Sequence, residues 1–115
     1  MYATDRGAGT EPAHHTPGFK ADSEKHRAGV VLRDFRLALT AVSQVGTFGA
    51  NKYTLHGWLA VENGEERYMD ALFRHLLADE ETDAESDLPH LAHAAWNALA
   101  VLELYLRRGD HDDPA

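Results

Sequence analysis

Two imidazoles and an amide recur at helical spacing in Leu88-Pro89-His90-Leu91-Ala92-His93-Ala94-Ala95-Trp96-Asn97. His90, His93 and Asn97 follow the i, i+3, i+7 pattern that places side chains on one helical face. A second segment, Glu65-Glu66-Arg67-Tyr68-Met69-Asp70-Ala71-Leu72-Phe73-Arg74-His75, carries Asp70 and Arg74 four apart and ends on a third histidine. A helix that only packs has no need of such groups beside its apolar stripe. Two helices of this kind facing each other would enclose one polar pocket.

Imidazole suits Zn, Mn, Fe, Co or Ni, so His75, His90 and His93 could hold a divalent transition metal. Asp70, Asp83 or Glu85 could complete a site for Mn or Mg. The plain alternative is a surface His90 and a hydrogen-bonded core His93; HxxH is not the HExxH pattern of a zinc protease. Asp70–Arg74 reads either as an ordinary ion pair or as a phosphate fork with Asp70 orienting Arg74. Lys52 and Tyr53, shortly before Trp58, offer either a phosphate-binding charge with aromatic faces for a base, or a packed aromatic hinge.

Those residues need helices to position them. The first helix is expected from about Asp34 to Phe48, with Gly49 as its C-terminal cap. Residues 50–58 read as a loop or a short helical turn. The second helix follows Asn63-Gly64, with Glu65 and Glu66 suited to its positive end. The third starts with Ser86 or Asp87 as N-cap, tolerates Pro89 in its first turn, and ends at Arg107-Arg108-Gly109. At about 20 residues it would be roughly 30 Å long. No strand signal competes, so the class is all-α: a small bundle of three main helices. Leu91, Ala95, Leu99, Leu102 and Leu106 keep an apolar stripe on the last helix. So thin a core invites completion by a second copy, hence a homo-oligomer.

The chain has 115 residues and a net charge of −8, with no cysteine. That size fits one domain. It divides into a flexible tail at 1–27, a helical domain at 28–109 and a frayed end at 110–115. Without cysteine there are no disulfides or thiolate sites, which fits a reducing cytoplasm. No apolar run is long enough to span a membrane, and the start lacks the pattern of a signal peptide. The acidic balance excludes broad nucleic-acid binding. Six acids fall within residues 79–87. They form either a solvated loop that helps the next helix start, or a hard-metal site or lid whose mutual repulsion a cation would relieve.

From about Phe48 to Tyr105 the chain resembles a family of small, mostly phage-encoded proteins: the dATP/dGTP diphosphohydrolases, N-terminal. The residues that carry the likeness are Gly49-Ala50-Asn51-Lys52-Tyr53, Gly57-Trp58, Glu66-Arg67-Tyr68-x-Asp70-Ala71-Leu72-x-Arg74-His75-Leu76, and Asp83-x-Glu85-Ser86-x-Leu88-Pro89-His90-Leu91-Ala92-His93-Ala94-Ala95-x-Asn97. Asp87 stands where the family's Glu-Ser-Gly turn would have glycine. The two-helix arrangement is also distantly similar to the MazG-like all-α pyrophosphohydrolases, which bind Mg through ExxE and ExxD acids. This chain has no ExxE on its second helix and carries His90, His93 and Asn97 where the third would have acids.

The resemblance implies a metal-dependent phosphohydrolase acting on purine deoxynucleoside triphosphates, in the cytoplasm of an infected host. Asp70, His75, His90 and His93 would hold the metal or position water, and Asp83, Glu85 or a histidine such as His90 would act as base. Arg74 and Lys52 would contact phosphates, Tyr53 or Trp58 would stack on the base, and Asn97 would orient a histidine or bind the sugar. The rival readings are a non-catalytic module that sequesters a nucleotide, and a structural helical oligomer.

Overall fold

The computed structural model describes residues 24–110, so the expected tail at 1–27 and the last five residues lie largely outside it. The chain forms two units, Met1–Asp34 and Phe35–Ala115. Among its described residues the first, taken on its own, has the short helix α1 (Ala28–Arg33), none of whose residues is buried. The second holds α2 (Arg36–Lys52), a 3-10 turn (Gly57–Ala60), α3 (Gly64–Leu76) and α4 (His90–Arg108). The chain is a small all-α protein; among the described residues the extended pairing is a single isolated bridge, Thr82 with Pro89.

Helix α2 runs past the expected stop at Gly49. The Tyr53 amide closes its last turn on the Gly49 carbonyl at 2.9 Å. A mid-helix glycine costs about 1 kcal/mol. Here Lys52 at the helix end pairs with Glu85 of the distant acidic loop, which ties the last turn down. The hydroxyls of Thr40, Ser43 and Thr47 donate back to carbonyls of the preceding turn, so these three short polar side chains are satisfied within the helix.

Helices α3 and α4 pack antiparallel. Glu65 meets Arg108 at 2.8 Å at one end of the pair, and His75 meets His90 at 2.8 Å at the other. Gly64 makes the first end possible, because a Cβ there would lie 3.1 Å from the Leu104 side chain. Gly46 plays the same part for α2, whose backbone sits against the Trp96 indole. Trp96 then makes edge contacts with Trp58 and Tyr68, ring centres 5.6 Å apart in each case, and the Tyr68 hydroxyl donates to the Trp58 carbonyl at 2.6 Å. The 3-10 turn is thereby fixed over the middle of the helix pair.

Helix α4 begins at His90, later than expected, with Pro89 as its N-cap. The residue before a proline disfavours helical geometry, and Ser86 spends its side chain inside the loop instead. The other end behaves as expected: Gly109 adopts φ 71° after Arg107 and Arg108. The buried apolar core consists of Val45, Ala92, Ala94 and Ala100, with no large side chain fully enclosed among the described residues.

A histidine–carboxylate cluster between two helices

The site forms where α3 ends and α4 begins. The acidic loop between them folds back on itself. The Asp83 amide donates to the Leu88 carbonyl at 2.8 Å, and the His90 amide to the Glu81 carbonyl at 2.9 Å. This wiring leaves Asp79, Glu80, Glu81, Glu85 and Asp87 exposed and turns Asp83 inward. The run is therefore a solvated loop at five positions and part of a site at the sixth. Asp87 pays for the tight turn with a left-handed φ of 61°, a conformation that favours glycine.

His75, Asp83 and His90 each present one donor atom within 4.8 Å of the others. The two histidine Nδ1 atoms lie 2.8 Å apart. Only one proton fits between them, so the pair is either an N–H···N hydrogen bond or, with both lone pairs inward, a chelate that a cation must fill. Ligands of a tetrahedral Zn at 2.0–2.1 Å are about 3.3 Å apart, so a small rotation of either ring opens the chelate. Two imidazoles and one carboxylate form a donor set for a borderline transition metal with positions left open; Mg favours oxygen ligands.

A second layer of contacts orients this trio. Asp83 Oδ2 accepts from the Ser86 amide at 2.8 Å and from its hydroxyl at 2.9 Å. Burial pushes the Asp83 carboxyl up, but these two bonds and the nearby His93 and His75 outweigh it, and its pKa falls below the usual 3.8. The carboxyl is therefore ionised and can only accept. The single Ser86 hydroxyl hydrogen goes to it. The Ser86 oxygen then accepts from the Leu88 amide at 3.2 Å and from His93 Nε2 at 2.7 Å. His93 must carry its proton on Nε2. Its ring stacks on His75 with centres 4.5 Å apart and planes within 12°.

Burial lowers the pKa of His75 below 6.5, and the neighbouring His93 and His90 lower it further. Burial also lowers His93, against the pull of Asp83. Neutral rings are the form that binds metal.

The remaining expected site residues are dispersed. His93 stands beside the converging trio as a hydrogen-bond donor, its Nε2 occupied by Ser86. Asp70 and Arg74 lie on the exposed side of α3, form no ion pair with each other, and stand outside the trio. The Asn97 amide donates to the His93 carbonyl at 2.9 Å, within its own helix; it steadies the turn that carries His93. Trp58 is committed to the aromatic packing described above. Tyr53 is exposed, with the Lys52 ammonium 5.0 Å from its ring centre. Lys52 reaches the site loop through Glu85, and that hydrogen bond raises its pKa. Ser86 was missed as a functional residue. The D-x-x-S spacing was its signal, since an aspartate commonly accepts from the amide three residues on.

A histidine–carboxylate cluster held between the helices of a small all-α domain defines a candidate metal-binding helical protein. The family model described as dATP/dGTP diphosphohydrolase, N-terminal, matches residues 15–114. The chain belongs to that family. No curated protein and no solved structure gives a significant match. Among the described residues, no helix is long and apolar enough to cross a membrane.

Proposed function

We propose that the chain is a metal-dependent phosphohydrolase acting on purine deoxynucleoside triphosphates. The observation that carries the reading is the convergence of His75, Asp83 and His90, in a family whose description names a diphosphohydrolase. The three residues would hold a divalent transition metal, Mn, Co or Zn before Mg. Bound there, such an ion lowers the pKa of a coordinated water and offsets charge on phosphate oxygens.

The chain's own groups then divide the work. His93 and Ser86 hold Asp83 in place and keep its second oxygen occupied. Lys52 exchanges Glu85 for a phosphate oxygen when substrate arrives. That exchange frees the Glu85 carboxylate to accept a proton from the attacking water.

The test is metal analysis of the purified protein, followed by product analysis with dATP and dGTP under a panel of divalent ions. Metal-dependent release of a deoxynucleoside mono- or diphosphate, with diphosphate or phosphate as the other product, supports the reading. Nucleotide binding without product favours the sequestering module. Neither binding nor turnover with any ion overturns the proposal and leaves a structural role.

A further inference from the structure

The end of helix α2 connects the histidine cluster to an exposed aromatic ring. Phe48 meets the His93 ring edge-on, with centres 6.5 Å apart and planes at 87°. One turn further along the same helical face, Lys52 pairs with Glu85 of the site loop. Glu85 is the sequence neighbour of Ser86, and its charge adds to that of Asp83 in opposing the burial that lowers the His93 pKa. Tyr53 then ends the helix, and its ring centre lies 5.0 Å from the Lys52 ammonium. Contacts therefore run unbroken from the histidines through Phe48 and Lys52 to the tyrosine. From Phe48 to Tyr53 the helix axis rises only about 7.5 Å.

Packing does not account for an aromatic ring at this position. Tyr53 is 72% exposed, with Lys52 over one face of the ring and the other open to solvent. Trp58, the other aromatic of this segment, is spent on Trp96 and Tyr68. An open aromatic face next to a cation is the combination that takes a planar base on the ring and an anionic backbone beside it.

We propose that Tyr53 is the platform on which the nucleotide base stacks, with Lys52 holding a phosphate oxygen alongside. The placement of the phosphates at the metal rests on the phosphohydrolase reading; the platform itself needs only that a nucleotide binds. A face-to-face stack responds to ring area and not to the donor and acceptor pattern at the edge of the base. Two fused rings are therefore favoured over one, and adenine and guanine are treated nearly alike. The paired purines in the family's description, dATP and dGTP, fit a reader of that kind.

Titration calorimetry on the full chain with Mn present is the test, with inorganic triphosphate as the probe that carries charge and no base. Tyr53→Ala should weaken dATP and dGTP about 5–150-fold, the range expected for loss of one base–aromatic stack. It should weaken dCTP less and leave triphosphate unchanged. Tyr53→Phe keeps the ring and should bind both purines as the wild type does. The side chain is exposed, so the helical circular dichroism should be the same in all three proteins. An alanine variant that binds dATP normally would overturn the proposal. So would one that loses dATP and triphosphate equally, because Tyr53 would then act on the phosphates, and so would a wild type that binds dCTP as tightly as dATP. Failure of the phosphohydrolase reading shows separately in the wild type. There, dATP bound without product removes hydrolysis and leaves the platform, whereas no binding of dATP with any ion overturns both.

Discussion

Removing one oxygen at Ser86 tests the whole arrangement of the cluster. In Ser86→Ala the backbone amide bond to Asp83 survives, but three hydroxyl contacts go: to Asp83 at 2.9 Å, to His93 at 2.7 Å and to Leu88 at 3.2 Å. His93 is only 9% exposed, so its Nε2–H is left without a partner away from water. A buried donor without a partner costs about 1–3 kcal/mol, and at roughly 4–8 °C per kcal/mol for a domain of this size the melting temperature should fall by about 4–24 °C. Asp83 would also be free to rotate. Loss of an outer hydrogen-bond partner commonly weakens metal binding about 10–100-fold. Thermal unfolding followed by circular dichroism reads the first effect; calorimetric titration with Mn or Co reads the second. Ser86→Thr should restore both. If the alanine variant melts and binds metal as the wild type does, the proton assignment through Ser86 is wrong. If only stability falls, Asp83 is not a metal ligand.

Other consequences are simpler to check. Asp87→Gly removes a left-handed strain at φ 61° and should stabilise the protein by about 1 kcal/mol in chemical denaturation; a loss of stability would mean that the Asp87 side chain makes the turn. His75 and His93 titrate below 6.5 in the folded protein. The unfolded chain therefore binds more protons just below that pH. The metal-free protein should be most stable above about pH 7 and lose stability as the pH drops through 6.5, with a further loss below 3.8 as Asp83 protonates; a melting temperature that rises on acidification to pH 5.5, about one unit lower, would contradict this. His90→Ala should abolish metal binding while leaving the helical circular dichroism largely unchanged, since His90 is only half-buried; retained stoichiometric binding would remove it from the trio.

The periodic parts of this chain were legible. The start of α3 and the Gly109 stop of α4 follow from Asn63-Gly64, the acidic first turn and the Arg-Arg-Gly ending. The end of α2 was not, because Gly49 is a local stop signal overruled by a contact 33 residues away, Lys52 with Glu85. The histidines of the site were visible by spacing alone. Which carboxylate joins them was not. Asp70 shares a helix with His75 but faces outward, whereas Asp83 sits among six acids that composition cannot tell apart. Its selection depends on the loop's backbone bonds and on Ser86, neither of which has a periodic signature. Helix α1 also escaped, since six residues without a buried side chain leave no apolar pattern to read.

Charge sets an order of events at the site. The chain carries −8, and six of its acids crowd the loop that bears Asp83. Of the two basic groups expected to meet phosphate, Lys52 is already neutralised by Glu85, and Arg74 stands alone on the surface of α3. A nucleoside triphosphate near charge −4 approaching this loop meets net repulsion, acting within a Debye length of about 8 Å at physiological salt. A divalent ion on His75, Asp83 and His90 makes the trio itself net positive within a loop that stays acidic, because the imidazoles that ligate it add no charge and Asp83 cancels only one of the ion's two. Metal should therefore bind first, and dATP should bind detectably only afterwards. Calorimetry with each order of addition separates the cases. Strong metal-free binding of dATP would show that phosphates are held by the basic side chains alone, and would remove the ion from substrate recognition.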